Sequence, residues 1–371
     1  AQMLGLGIVI HTVSGGLVDL STAIIAGAAI VTLYTLFGGM WSVAITDLVQ
    51  TIVIVIGLLY IAWLLASMAG GFDVVYDKAV EQGRLEFWPK LGLRDWLAFL
   101  AAWATMSIGA IAQQDVFQRV TSARDENTAV AGAWIGGFVY LGFAFVPMFI
   151  AVSALVLAPE AVEASLAGDG ADFQFLLPRL ILDRTPLFAQ VMFFGALISA
   201  ILSSASGALL APTAIFTENV IKPLIPGEPS DRMRLLRLRI VLVLFAGVVL
   251  WFALNSERSM YELVQSTYQV TLVAAFTPLV FGMFWSRATP AGAIAAMIAG
   301  VVSWLAALWF SPEMLMPPQL VGLAAAVVAM VGVSLALGAA VEMRSGGTSG
   351  PKLNPKPRAK SGRSPTGRRV R

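Results

Sequence analysis

Residues 190–211 read QVMFFGALISAILSSASGALLA, a run apolar enough for lipid or a buried core that nevertheless carries serines at 199, 203, 204 and 206. On a 3.6-residue period Ala196, Ala200, Ser203, Gly207 and Ala211 fall on one side of a helix, with Ser204 beside them. Such a stripe of small residues lets a second backbone approach closely and places carbonyl and hydroxyl oxygens at the contact. Two uses fit that pattern. One is close packing, with each serine bonding the carbonyl one turn back. The other is coordination of a hard monovalent cation by neutral oxygens, where two helices meet near the middle of a membrane.

Composition sets the solvent. Hydrophobic residues make up 58% of the 371 and charged ones 12%, with a mean hydropathy of +0.81, well outside the range of soluble domains. Ten apolar runs approach the roughly 20 residues a membrane helix needs: 1–15, 21–38, 46–68, 96–114, 129–157, 187–211, 238–254, 261–284, 289–310 and 318–341. The fold class expected is an all-α polytopic membrane protein. There is no cysteine and one histidine, His11, which leaves little for redox, zinc or imidazole chemistry. No paired intramembrane carboxylates and no activated nucleophile are visible, because Ser203 has no His or Lys on its helix face. An enzyme is not expected, and neither is a nucleic-acid partner.

Basic residues set the orientation. With alternating spans and a cytoplasmic C-terminus, inner loops hold Arg119, Arg124, Lys222, Arg232, Arg234, Arg237, Arg239 and Arg287, and nine more follow from Arg344 to Arg371. The other seven of the 24 sit outside, mixed with most of the acids. The expected organisation is a transmembrane domain over 1–341 and a basic, disordered cytoplasmic tail over 342–371. The expected location is the cell (plasma or inner) membrane. Two outer loops stand out: 70–95, with a short interfacial helix, and 158–186, a helical hairpin against the outer face. The chain opens with Ala-Gln-Met-Leu-Gly already inside an apolar run, and reads as lacking upstream helices.

Charge near the membrane is costly and therefore informative. Asp47 lies in GGMWSVAITDLVQ and Asp115 in GAIAQQDVFQRVTSA, each near the inner end of a span. Gly38-Gly39 is expected to break the helix ahead of Asp47, forming an irregular inner corner. Each acid fits either a helix-end interfacial role or a cation path toward the cytoplasm.

Four stretches carry a resemblance: YTLFGGMWSVAITDLVQ (34–50), QQDVFQRVTSARDENTAV (113–130), GALISAILSSASGALLAPTAIFTENVIKPL (195–224) and FGMFWSRATPAGAIAAMIAG (281–300). In this order and spacing the chain resembles the sodium:solute symporter family of proline, pantothenate and sugar permeases, from its first residues to about 341. The resemblance implies a leucine-transporter-type inverted-repeat bundle of thirteen helices, of which ten are present here. It implies Na⁺ as the co-transported ion, with Ala200, Ser203 and Ser204 as ligands from the eighth core helix, and Asp47 on the inner ion path. Gln265 falls where sugar-transporting members contact solute. Ser107, Gln113 and Gln269 complete the solute-contact candidates. Where many members carry an aromatic gate, this chain reads Ser107-Ile108-Gly109-Ala110.

The function implied is Na⁺-coupled symport of a small polar organic solute across the lipid bilayer by alternating access. A proton-coupled transporter would need a titratable group at the ion site, and a membrane sensor built on the same fold would need a signalling domain after residue 341.

Overall fold

The computed structural model describes residues 1–90, 92–167, 173–225, 227, 230–310 and 315–344; the side chains of 38–44, 115, 118, 167 and 338–344 lie outside the description. The expected tail, from 345 on, and the side chain of Asp115 fall outside it too. Every regular element among the described residues is helical.

The first four helices are α1 (Gln2–Val13), α2 (Leu20–Ala69), α3 (Phe72–Glu81) and α4 (Gly92–Trp103). A π-helical turn over Ala104–Ile108 leads into the short α5 (Gly109–Ile111), followed by α6 (Gln114–Thr121), α7 (Glu126–Phe143) and α8 (Phe145–Leu157). Next come α9 (Pro159–Ala167), α10 (Phe173–Arg184) and α11 (Leu187–Phe216), with a second π turn at Thr217–Ile221. The remainder are α12 (Lys222–Leu224), α13 (Asp231–Asn255), α14 (Met260–Thr271), a third π turn at Leu272–Phe276, α15 (Thr277–Phe284), α16 (Pro290–Phe310) and α17 (Pro318–Arg344).

Eight of the ten expected runs are helical stretches long and apolar enough to cross a membrane. The other two are helical but different in kind. Helix α1 has 12 residues, about 18 Å at 1.5 Å per residue, against a hydrocarbon core of about 30 Å. The 96–114 run changes from α to π and back, then leaves the helix at Gln113, whose backbone is extended (φ −73°, ψ 130°).

The inner corner differs from expectation. Helix α2 is not broken at Gly38-Gly39; its helical assignment runs for 50 residues without interruption. It cannot be straight, however. The hydroxyls of Tyr34 and Thr46 are hydrogen-bonded across twelve residues, whose Cα atoms a straight helix would hold about 18 Å apart, farther than the two side chains reach. The helix must bend between them while keeping its helical assignment, and each limb (Leu20–Phe37 and Ile45–Ala69) is by itself long and apolar enough to cross a membrane.

The core lies where these limbs meet α1 and α11. Glycine makes the closest approach possible: a Cβ on Gly7 would stand 2.9 Å from the Ile24 Cα, and one on Gly57 would stand 3.0 Å from the Met192 carbonyl. Around them Leu6, Ile8, Val31, Ile61, Leu65, Phe193 and Leu242 are buried together. A smaller cluster of Ala296, Ala326 and Met330 joins α16 to α17. Helices α9 and α10 pack on each other as the expected hairpin, with α10 also against α1, and α3 is the expected short helix of the 70–95 loop. Two spans begin at acidic N-caps. Hydrogen bonds from the Thr22 hydroxyl and amide, and from the Thr128 amide and hydroxyl, hold the Asp19 and Asp125 carboxyls below the usual range.

Candidate functional site

Helix α11 sorts its hydroxyl side chains into two groups. Ser206 is fully buried and donates to the Ser203 carbonyl at 3.0 Å; Thr213 donates to Leu209 at 2.7 Å and Thr217 to Thr213 at 2.8 Å. These satisfy themselves on their own helix. The hydroxyls of Ser203 and Ser204 make no hydrogen bond to any described residue. Ala200 and Ser203 are half-buried, and Ser204 is exposed to a cavity of about 460 Å³. Two adjacent free hydroxyls on an apolar helix suit a small cation that prefers neutral oxygen.

The same cavity is lined by Gln113 and Gln114 from the interrupted helix, by Ala208 beyond Ser204, and by Val264, Thr267 and Tyr268 of α14. The fold therefore gathers two of the sequence candidates, Ser204 and Gln113, at one opening. Ala200 and Ser203 stand beside it without lining it. Ser107 is turned elsewhere, its hydroxyl bonded to the Trp103 carbonyl at 2.5 Å within the π turn. Gln265 and Gln269 are half-buried and do not line the cavity. Val264, Thr267 and Tyr268 share a helix face about a third of a turn away from Gln265. Their three- and four-residue spacing was the available signal for them.

The corner at Asp47 is built from three elements. Arg119 of α6 donates from its guanidinium to Asp47 Oδ2 at 3.1 Å, and the same guanidinium lies 3.3 Å from where a Cβ on Gly207 would sit. Since Gly57 meets Met192 and Ala196 while Asp47 reaches Gly207 through Arg119, the Ile45–Ala69 limb and α11 run antiparallel. Asp47 and Ser203 thus lie along one helix–helix contact. Asp47 Oδ1 is buried without a hydrogen-bond partner, and so is Gln50 Oε1, one turn further on. Enclosed oxygens lacking donors are costly and have the chemistry to receive a cation. Gln50 was legible only as the i+3 neighbour of Asp47 in TDLVQ. Among the described residues no group of three His, Cys, Asp or Glu is placed to hold a metal ion.

Comparison with known proteins bears on the family and the fold. The model of the sodium:solute symporter family matches residues 1–300. The human high affinity choline transporter 1 is 25% identical over 304 residues, covering 76% of this chain and 49% of that protein. The sodium/proline symporter of Haemophilus influenzae is 26% identical over 309 residues, covering 77% and 57%, and that of Escherichia coli is 27% identical over 320 residues, covering 81% and 60%. The chain thus spans about half the length of the curated relatives it matches. Among solved structures, a Na⁺-coupled sialic acid symporter in a substrate-bound, outward-open state superposes with a TM-score of 0.68 at 18% identity, over 90% of this chain and 71% of that one. At that identity the likeness is one of fold: the helices follow the inverted-repeat bundle expected.

Proposed function

The chain belongs to the sodium:solute symporter family, and from that premise we propose that this multi-pass membrane protein acts as a secondary active transporter, coupling inward Na⁺ movement to uptake of a small polar organic solute. The observation that carries the reading is the pair of unbonded hydroxyls, Ser203 and Ser204, on an otherwise apolar helix beside an open cavity whose lining mixes polar and apolar side chains. Ala200, Ser203 and Ser204 are assigned to Na⁺, and Asp47 with Gln50 to the path by which the ion leaves. Gln113, Thr267 and Tyr268 are the solute contacts the cavity favours, with Ser107, Gln265 and Gln269 secondary.

Serine hydroxyls do not titrate near neutral pH, which favours Na⁺ over protons at this position. The excess of basic residues in the loops assigned inside supports a cytoplasmic C-terminus. The membrane potential supplies about 2.3 kcal/mol per charge at 100 mV, and Na⁺ binding need only stabilise one conformation of the bundle over another.

Proline and choline are the first solutes to try, since relatives are named for them. In vesicles, uptake of radiolabelled proline, choline, mannose and myo-inositol is measured with an inward Na⁺ gradient and with K⁺ in its place. The reading expects at least one solute to accumulate only with Na⁺. Equal accumulation in K⁺ for every solute transported would refute coupling.

A further inference from the structure

The tightest helix crossing beside the cavity joins the interrupted helix to α14. A Cβ on Gly109 would stand 2.5 Å from the Tyr268 carbonyl oxygen, so only glycine fits there. A π turn abuts the crossing on each side: Ala104–Ile108 ends just before Gly109, and Leu272–Phe276 begins just after Thr271. Such turns leave carbonyls out of the regular ladder and recur at functional positions.

The Gly109 carbonyl, just past the first π turn, is left over where the helix ends at Ile111. In a continuing helix it would accept from the Gln113 amide, but that amide bonds Ala110 instead, at 3.1 Å. The orphan is capped from the other helix: the Thr271 hydroxyl donates to the Gly109 carbonyl at 2.8 Å. The Tyr268 and Thr267 carbonyls lie 3.0 and 3.4 Å from the same hydroxyl. The Tyr268 carbonyl already receives the Leu272 amide, which leaves Gly109 the better claim on the single proton.

Gln113 then completes the arrangement. Its side-chain Nε2 lies 3.2 Å from the Thr271 hydroxyl oxygen. A hydroxyl that has given its proton to Gly109 can only accept, so the carboxamide must present N–H to Thr271. That fixes which end of the amide remains. The Gln113 Oε1 makes no hydrogen bond to any described residue, and Gln113 lines the cavity.

We propose that Thr271 is a positioning residue for solute recognition: it caps the interrupted helix at Gly109 and holds Gln113 so that the cavity meets an acceptor oxygen. The solute class this selects carries an N–H or O–H donor. The solute part of the inference rests on the cavity being the solute site; the clamp itself does not.

The absence of native cysteine allows a test that needs no substrate. A single Gln114→Cys, on the cavity lining next to Gln113, is labelled with a methanethiosulfonate reagent in vesicles containing the full chain. Thr271→Val keeps the shape and removes both bonds, and should speed labelling about fivefold, the equivalent of one net hydrogen bond. Thr271→Ser retains the hydroxyl and should label like the parent. Thr271→Ala serves in place of valine if that variant fails to insert.

In Na⁺-driven proline uptake, Thr271→Val should raise KM about fivefold with the half-saturating Na⁺ unchanged, and serine should restore it. Unchanged labelling in the valine variant would overturn the clamp, as would serine labelling as fast as valine. Hydroxyl-dependent labelling without Na⁺-driven uptake of proline or any other probe would overturn the transport reading and leave the clamp standing.

Discussion

Helices α7 and α11 look alike in composition and differ in circumstance. Their spans have mean hydropathies of 2.2 and 1.9, and both are rich in glycine and alanine. In α11, Phe193, Phe194, Ala196, Ser206 and Leu209 are among the buried residues, while α7 buries none. A Cβ on Gly132, Gly136, Gly137 or Gly142 of α7 would meet nothing within 4 Å, whereas α11 has Gly57 of α2 pressed against its Met192 backbone and Arg119 against its Gly207. Hydropathy therefore reports the solvent a helix tolerates, not the neighbours it has. The neighbours depend on what the opposing elements bring.

The largest contrast should appear in stability. Gly57→Leu pushes a side chain into the Met192 carbonyl and the Ala196 methyl, an overpacking that costs about 1–3 kcal/mol. Gly136→Leu enters open space and should change stability by no more than about 0.5 kcal/mol, as surface substitutions do. Thermal unfolding in detergent separates the two: a lowered midpoint for the first and an unmoved or raised one for the second. Equal losses would mean that α7 is as closely packed as α11.

A smaller contrast concerns charge. Arg119 covers Asp47 beside α11, and Arg124 pairs with the Asp125 cap at the start of α7. Both guanidinia are largely exposed, and exposed pairs are worth about 0–1 kcal/mol. Arg119→Gln should free the carboxylate and lower the Na⁺ needed for half-maximal uptake by at most about fivefold. Arg124→Gln should leave Na⁺ dependence alone. A rise in the Na⁺ requirement with Arg119→Gln would mean that the arginine assists the ion rather than competes with it.

Much of the fold was readable because a bilayer imposes a single rule of length and polarity. The helix at 190–211, the short helix in the 70–95 loop and the hairpin at 158–186 all followed from where apolar runs stop. The break at Gly38-Gly39 did not hold. Glycine permits a bend without requiring the helical hydrogen bonds to end, and the Tyr34–Thr46 contact that reveals the bend joins residues no local pattern links. The site was legible in proportion to how local its geometry is. Ser203 and Ser204 share a turn and could be paired from spacing alone. Thr271 caps a carbonyl 162 positions away, and position along one helix does not say which face of α14 turns to the cavity, the face of Thr267 and Tyr268 or that of Gln265.

Ser203 and Ser204 are proposed to hold Na⁺ where Ser206 does not, although all three share one helix within four positions. Binding of radioactive Na⁺ to the purified protein tests this directly. Ser203→Ala with Ser204→Ala should weaken binding at least tenfold, since each lost oxygen is worth about 1–3 kcal/mol. Ser206→Ala, whose hydroxyl is already committed to the Ser203 carbonyl, should leave Na⁺ affinity unchanged. Undiminished Na⁺ binding in the double variant would contradict the account and return the small-residue stripe to helix packing.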